Sequence, residues 1–560
     1  MKNRRIIVIA MDQPLDSDLQ LRGKVANVER RSERQAPRFP GLDLSGMQRE
    51  VNRHLLRLPL LFRGRYMGLP DLMNLLRNGR RIPAVTPRNA GEHLLFANGI
   101  SLNGIYLYQY LEGQGYDPIV VQNYSLAHLP DLLAETPLAV CISSTFLYLD
   151  DIREMAERIR EVDPGVPVIV GGILAKKILD AGENLTPQTL NWISTFHGKV
   201  DAFVVETHGE ETLSKVLPIL ENGGDLRAVP NLALFDRDGK VFFTPRQEED
   251  IPLDQTAIRW ERIPRPYLRS TLSILTSQGC QYRCRFCTYH RWFPRVRYKS
   301  PGVLREELRR IQDLGFVRHV RFADDNFTAN PKRLRAVLEV MIEEGFDFTW
   351  SAFARASAIS PEIAALMRAS GCVLLNMGIE SGSPDILRNM DKRLDPGKAL
   401  EAIRLLRAQG IQTLGGFIIG YPGETEETFM ETVDLIDRSG LNYYHPYLFY
   451  YSRNMLVHEE RERFGLDGVG WAWRHETMDA VKASRLMAGM IRLLPRAYTD
   501  GQQKTWETFK LLFGEGYEPE EILDLHRLKR ELQLAVEDFG EDSPEVEGIL
   551  RAMEARIRFS

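Results

Sequence analysis

Apolar and polar positions along the chain form two long alternations of strand-like runs and amphipathic, helix-like stretches. The run Ile6–Met11 is continuously apolar and closed by Asp12, too short for the apolar region of a signal peptide, so it reads as a buried first strand. After a helix-like stretch at Gly99–Gly113 come the strands in YDPIVVQNYS and PLAVCISST, a helix over Asp150–Glu161, the strand VPVIVGG, and the strand–turn–helix of VDAFVVETHGEETL. That is a doubly wound α/β pattern, in which ligands bind beyond the C-terminal strand ends. A second alternation begins at Ser273–Thr276. The helix Pro301–Leu314 carries Val303, Leu304, Leu308, Ile311 and Leu314 on one face, and the strand HVRFADDNFT follows it. Next come the helix Pro331–Glu344, the strand DFTWSAFAR, the helix Pro361–Ser370, the strand CVLLNMGIE, the helix Pro396–Gln409 and the strand in TLGGFIIGYPGET. Polar residues and glycines gather at the C-terminal strand ends, where α/β barrels and open α/β sheets place their chemistry.

Two segments depart from this rhythm. Between the first strand and its helix lie residues 14–93, where a short connection is normal. The segment is rich in arginine (Arg30, Arg31, Arg34, Arg49, Arg53, Arg57, Arg63, Arg65, Arg77, Arg80, Arg81, Arg88), and VNRHLLRLPLLF and MNLLRN predict helices. A solvated basic face and a lid are both open readings of it. From Tyr450 the chain reads as mainly helical, with a glycine-rich aromatic loop (FGLDGVGWAWRHETM) leading to a helix capped around His475–Thr477. The pattern predicts three domains: 1–250 with the insertion at 14–93, 265–450, and 451–560.

Composition narrows the class. Hydrophobic residues are 44% and charged residues 26%, which supports several packed cores and excludes a disordered chain. A net charge of -4 argues against a globally basic nucleic-acid binder. No apolar stretch approaches a membrane span, so a cytoplasmic protein without a membrane partner is expected. Five cysteines are too few and too odd in number for a disulfide scaffold.

Three of those five, Cys280, Cys284 and Cys287, fall within eight residues in TSQGCQYRCRFCTYH. Thiolates this close can wrap a single centre, and two readings are open at this point. Zinc would take His290 as its fourth ligand. A cubane iron–sulfur cluster held by three cysteines would leave one iron open to a ligand that is not protein. Cys141 and Cys372 read as buried strand residues.

The C-x3-C-x2-C loop, with the aromatic Phe286 before its last cysteine, follows the first strand of the second alternation. With that alternation, it resembles the cluster loop of radical S-adenosylmethionine (SAM) enzymes, over about Ser273–Phe449. The resemblance implies a partial (β/α)6 barrel, a [4Fe-4S] cluster on Cys280, Cys284 and Cys287, and SAM on the open iron, cleaved to a 5′-deoxyadenosyl radical. It places Asp324, Asp325 and Asn326 near the SAM ammonium and Arg355 on its carboxylate. Glu380 falls near the ribose or methionyl end, with Ser381 in the adjoining turn, and Gly416 and Ile418 fall on the strand facing adenine. It leaves His290 as a candidate to touch substrate, and in the aromatic loop Trp471, Trp473 and His475 are candidates to close the barrel mouth and touch substrate.

The first alternation lacks G-x-G-x-x-G and a P-loop. Ahead of such a barrel it resembles a Rossmann-like cobalamin-binding domain, whose contacts would be Ser143, Ser144, Thr145, Gly171, Gly172 and Gly209. The D-x-H-x-x-G signature of a lower-face histidine is absent. The whole is similar to cobalamin-dependent radical SAM methyltransferases, which implies a small-molecule substrate and an electron donor such as flavodoxin or ferredoxin. Three alternatives stay open: a cobalamin-using cyclase or rearrangement enzyme, a radical SAM enzyme with an empty Rossmann-like domain, and a non-catalytic zinc module.

Overall fold

The computed structural model describes residues 4–13, 16–39, 41–86, 88–96, 99, 101–145, 147, 149–501 and 505–558. The chain divides into two compact units, one of residues 1–14, 86–91 and 97–268, the other of 15–85, 92–96 and 269–560.

The first unit is built on a seven-stranded sheet. Its strands are β1 (Arg5–Ile9), β2 (Asp117–Val121), β3 (Ala139–Ser143), β4 (Val168–Gly171), β5 (Ala202–Val204), β6 (Leu232–Phe235) and β7 (Val241–Phe243), in the order β2-β1-β3-β4-β5-β6-β7. The first five are parallel, and β6 and β7 add on antiparallel. Both faces are covered, because alternate residues feed separate cores. Ile7, Ile9, Val140 and Ile142 pack on one side, and Ile6, Val8, Ala139 and Cys141 on the other. Burial there pushes the Cys141 thiol up to about 12, the property of a packing residue. The strand order reverses between β1 and β3, which opens a crevice at their C-terminal ends.

The second unit carries six parallel strands in plain sequential order. They are β8 (Thr271–Ile274), β9 (His319–Phe322), β10 (Thr349–Ala354), β11 (Cys372–Glu380), β12 (Gln412–Ile419) and β13 (Tyr443–Leu448). Amphipathic helices at Pro301–Asp313, Pro331–Glu344, Pro361–Ala369 and Pro396–Ala408, close to the predicted limits, and at Glu426–Ser439 connect them. The helix Thr505–Gly514 covers a patch of the sheet. Trp506 meets Phe353 at 4.9 Å, Phe509 meets Tyr443 at 4.6 Å, and Phe513 stacks on His319 at 4.6 Å.

Residues 15–85 belong to this second unit, although their position in the chain suggested an N-terminal insertion domain. The helix Leu44–Leu55 packs on Ala480–Leu493. The helix Leu69–Arg77 places Leu72, Met73, Leu75 and Leu76 in one core with Phe509, Leu525 and Leu528. Arg80 pairs with Glu547 at 2.5 Å and with Glu554 at 2.6 Å. Pro14, the expected start of the segment, lies outside the described residues, as does the side chain of Arg31. The C-terminal helices do not form a core of their own either, since Leu374, Leu414 and Tyr443 of the sheet share theirs.

Two local expectations also change. Within VNRHLLRLPLLF the helix stops at Leu55, and Leu60–Phe62 pairs with Arg65–Met67 as a hairpin, because Pro59 cannot continue a helix and Gly64 turns the chain at φ 71. His475–Thr477 do not cap the helix that follows. The aromatic loop is a hairpin of Asp467–Val469 and Ala472–Arg474, and Asp479 caps the next helix by accepting from the Lys482 amide at 2.8 Å.

Candidate functional site

The cysteine loop leaves the C-terminal end of β8 and is shaped by three constraints. Gly279 turns at φ 93, where a Cβ would sit 2.6 Å from the Arg295 carbonyl. The small ladder Ser277–Gln278 with Arg297–Tyr298 closes the loop behind it. Asp324, fully buried at the end of β9, accepts from the Thr276 amide and hydroxyl at 2.6 Å each and from the Ser277 hydroxyl at 2.5 Å. With those oxygens engaged, Asp324 holds the loop's root, and its neighbours are better placed to meet a ligand.

Cys284 is buried, while Cys280 and Cys287 are partly accessible. Cys287 lies within electrostatic reach of both Cys284 and Cys280. Among the described residues no three His, Cys, Asp or Glu side chains already enclose a metal position. Burial raises the Cys284 thiol, and the cations Lys392 and Arg355 pull it back towards thiolate. Arg355 stacks 3.6 Å over Tyr282, donates to the Lys392 carbonyl, and points Nη1 at the Cys284 sulfur at 3.9 Å. His290 does not complete a ligand set here. Its electrostatic neighbours are Arg283 and Arg291, and both ring nitrogens lack a partner.

Several polar groups converge on the same strand ends. Asp325 is reachable by solvent yet crowded by protein. Burial lifts its carboxyl to about 6, against hydrogen bonds from Tyr289 and from the Gly279 amide at 3.0 Å. Asn326 is buried with its amide nitrogen unpartnered, and Arg355 Nε is likewise an orphan. Buried polar atoms without partners are costly, and a polar ligand that meets them removes the cost. This is the observation that fits SAM to the site. Glu380 sits at φ 73, at a register shift in β11, with its carboxylate 2.8 Å from Lys392 Nζ. An extended-strand glutamate in the left-handed region stores strain of the kind that clusters at functional sites. Lys392 also reaches over the Phe286 ring at 5.8 Å. Ser381 is turned inward, bonding Thr432 and the Ser383 amide, so it shapes the turn. Gly416 and Ile418 lie on β12, where a Cβ on Gly416 would approach the Tyr447 ring at 3.5 Å.

Trp473 and His475 are structural. Trp473 is fully buried and donates to the Phe449 carbonyl at 2.7 Å, and His475 stacks on it at 5.3 Å with an interplanar angle of 7°. They support the turn after β12, where Gly420 adopts φ 82 and Glu424 accepts from its amide. A Cβ on Gly420 would stand 2.5 Å from Trp473 and 2.7 Å from Ala483. Gly420→Ala is therefore expected to destabilise the protein by about 2–4 kcal/mol, by overpacking and backbone strain together, measurable as a lower denaturant midpoint. An unchanged midpoint would mean that the turn is not held as described.

In the first unit, Ser143, Thr145, Gly171, Gly172 and Gly209 line a cavity of about 100 Å3 at the strand ends. Ser143 accepts from Asn103 at 2.7 Å and bonds Thr145 at 3.2 Å. Gly172 has φ 97, a conformation that strains any other residue, and a Cβ there would press on the Ser144 amide at 3.1 Å. Ser144 is buried and spent on the Ala175 amide at 3.0 Å, so it braces the cavity from behind. Glu210 also lines the cavity. Burial raises its carboxyl to about 8, and Oε2 has no partner. A protonated acid waiting for an acceptor, beside strand ends stripped of side chains, suits one edge of a large polar cofactor.

The sequence did not signal Lys392 or Arg333, which reach the loop by tertiary folding, Arg333 by donating to the Thr276 carbonyl at 2.8 Å, nor the roles of Tyr282 and Tyr289 within the loop segment itself.

Residues 274–436 match the radical SAM superfamily model. Among curated relatives, an uncharacterized methyltransferase of Pyrococcus horikoshii is 31% identical over 258 residues, covering 44% of this chain and 54% of the relative. Bacteriochlorophyllide d C-12(1)-methyltransferase of Chlorobaculum tepidum is 32% identical over 177 residues, 31% of this chain and 38% of its own. Anaerobic magnesium-protoporphyrin IX monomethyl ester cyclase of Synechocystis is 25% identical over 292 residues, 50% of this chain and 58% of its own. The chain spans about half the length of the curated relatives it matches. Its fold is similar to that of TsrM from Kitasatospora setae, a radical SAM methyltransferase solved with cobalamin and a [4Fe-4S] cluster. The TM-score is 0.58 at 17% identity, covering 78% of this chain and 97% of that one. The cobalamin-dependent radical SAM enzyme OxsB gives 0.52 at 17% identity, covering 81% and 73%.

Proposed function

We propose that this chain, which carries a radical SAM domain over residues 274–436, is a cobalamin-dependent methyltransferase acting on a small molecule. The single observation that carries the reading is the loop of Cys280, Cys284 and Cys287 at the end of β8, ringed by the orphaned nitrogens of Asn326 and Arg355. We read the second unit as a partial (β/α)6 barrel. Sequential parallel strands joined by right-handed crossovers keep their helices on one side, and such a sheet curls towards closure. The first unit reads as a Rossmann-like cobalamin-binding domain, its switch point between β1 and β3 lying beside the cavity of Gly171, Gly172 and Gly209.

When bound, the cluster supplies an electron and an open coordination position, SAM the radical precursor, and cobalamin a transferable methyl group. The chain's own residues bind and orient these groups. The three thiolates would hold the cluster, and Arg355 and Lys392 lower the cost of charge on Cys284. Asp325 and Asn326 face the ammonium, with Asp325 present as carboxylate above pH 6 or so. Arg355 Nε and Glu380 set the methionyl end and the ribose, and Gly416 and Ile418 leave the strand edge clear for adenine. In the first unit Ser143, Thr145 and Glu210 offer hydrogen bonds to the cobalamin periphery. A small-molecule substrate and an electron donor such as flavodoxin or ferredoxin belong to the same proposal. No helix among the described residues is long and apolar enough to cross a membrane.

Anaerobic reconstitution with iron and sulfide tests this. We expect about four irons per chain, as a cubane requires, with broad absorbance near about 400 nm that dithionite bleaches, and retention of added hydroxocobalamin. Colourless protein holding one zinc would overturn the reading. The similarity to the Synechocystis cyclase favours a second outcome, cyclisation. Product mass distinguishes it, since methyl transfer adds one CH2 and cyclisation adds none.

A further inference from the structure

The two neighbouring acids at the end of β9 do different work. Asp324 is spent on the root of the cysteine loop, at Thr276 and Ser277. Asp325 instead accepts from both flanks of that loop. Its Oδ2 takes the Gly279 amide at 3.0 Å, one residue before Cys280, and the Tyr289 phenol reaches its carboxylate from two residues beyond Cys287. One carboxylate thus joins the two ends of the loop.

Tyr289 is the joint of this arrangement. Its backbone amide donates to the Cys287 sulfur at 3.4 Å, so the residue that holds Asp325 by its side chain also holds a candidate cluster ligand by its main chain. Its ring lies against Phe293, with centroids 4.7 Å apart, and the Phe293 amide donates back to the Tyr289 carbonyl at 3.1 Å. Ring and main chain are therefore both fixed, and the hydroxyl arrives at Asp325 already ordered.

The consequence falls on Asp325. The terminal torsion of an aspartate is broad and soft, and two donors from the two flanks of the loop narrow it. Hydrogen bonds to a carboxylate are among the stronger ones, so the constraint is firm. An ionised carboxylate has about four acceptor sites. Gly279 and Tyr289 fill two, and because the Asp325 side chain remains exposed, those left over are open to an ammonium.

We infer that Tyr289 is a positioning residue, whose phenol orients Asp325 for the SAM ammonium and whose amide ties that orientation to the Cys287 sulfur. Asp325 as the ammonium partner rests on the function proposed above, whereas the link between phenol and carboxylate does not.

The full chain labelled with 3-fluorotyrosine, without iron, tests the link. The Tyr289 fluorine signal, assigned by its loss in Tyr289→Phe, is expected to move in Asp325→Asn. This arm needs neither cluster nor SAM, so its failure is distinct from failure of the radical SAM reading. The reconstituted chain tests the role. Tyr289→Phe should keep its iron and bind SAM roughly tenfold more weakly by calorimetry, the loss expected of a hydrogen bond to a charged group. KM for SAM should rise by the same factor while kcat stays within about twofold, the pattern of lost ground-state binding. The SAM analogue without its amino group should bind both proteins alike. Added to Asp325→Asn, Tyr289→Phe should cost less than about twofold more, since groups that act as one are not additive, whereas a merely structural tyrosine would add its full factor. An unmoved fluorine signal, loss of folding or iron in Tyr289→Phe, unchanged SAM affinity, an equal loss with the analogue, or an additive double variant would each overturn the inference.

Discussion

Replacing Cys284 with serine is expected to leave the reconstituted protein with only traces of iron. 5′-Deoxyadenosine formation should fall by more than about 100-fold, beyond what loss of an outer partner of a metal ligand costs. The expectation follows from the loop rooted by Asp324, which carries all three thiols within eight residues, while His290 lies among Arg283 and Arg291 and completes no ligand set. Cys141→Ser and Cys372→Ser are the informative controls. Both residues are strand positions whose thiols burial pushes far from ionisation, so iron content should be unchanged in each. Arg355→Met should fall between, at about 10–100-fold lower activity, as a group acting through Cys284 rather than on the metal. Iron analysis and anaerobic product assays check all four. Full iron in Cys284→Ser would refute the assignment.

The largest effect on stability is expected at Asp500. It is completely shielded in its side chain and holds Lys529, itself 2% exposed, together with Thr508 and the Leu69 amide. Asp500→Ala strands a buried ammonium and should cost about 3–5 kcal/mol, read as a lower denaturant midpoint. The pH dependence has a definite sign. Burial acts to raise the Asp500 carboxyl, but Lys529, with His526 and Thr508, outweighs it and holds the pKa at about 2, below the ordinary 3.8. A carboxyl lowered by folding contributes its full stability above the unfolded pKa and loses it as pH falls towards 2. His526, which burial lowers against the pull of Asp500, acts in the same direction, starting below its ordinary 6.5. Acid unfolding should therefore be shallower between about pH 4 and 2 in Asp500→Ala than in the unmodified chain. Identical acid limbs would show that Lys529 does not depend on this carboxylate.

Much of this architecture was legible in the sequence because it rests on local signals. Apolar periodicity and proline-led helix starts placed the helices Pro301–Asp313 and Pro331–Glu344 to within a residue. The cysteine spacing and the glycines after β4 and β12 pointed to strand ends because each constrains only its own turn. What escaped was set by distance in the chain. Lys392 meets Glu380 beside a register shift in β11, which no spacing rule encodes. Trp471, Trp473 and His475 look alike in sequence, yet the hairpin sends Trp473 into the core and Trp471 into a cavity wall. Residues 15–85 were assigned to the neighbour they follow in sequence, since nothing local reveals that Arg80 meets Glu554 across 474 positions.

That last contact bears on how the chain acquires its structure. The second unit is not a continuous stretch of polypeptide, because its first helices precede their partners by as many as 474 positions. Leu72, Met73 and Leu76 must stay unburied until Phe509, Leu525 and Leu528 have emerged. Contacts of such high order slow folding and prolong the exposure of apolar surface. A C-terminal fragment beginning at Arg269 would lack the same partners permanently. The cavity between Ser17, Tyr66, Trp471 and Asp500 likewise forms only after Trp471 and Asp500 have joined the segment made more than 400 residues earlier.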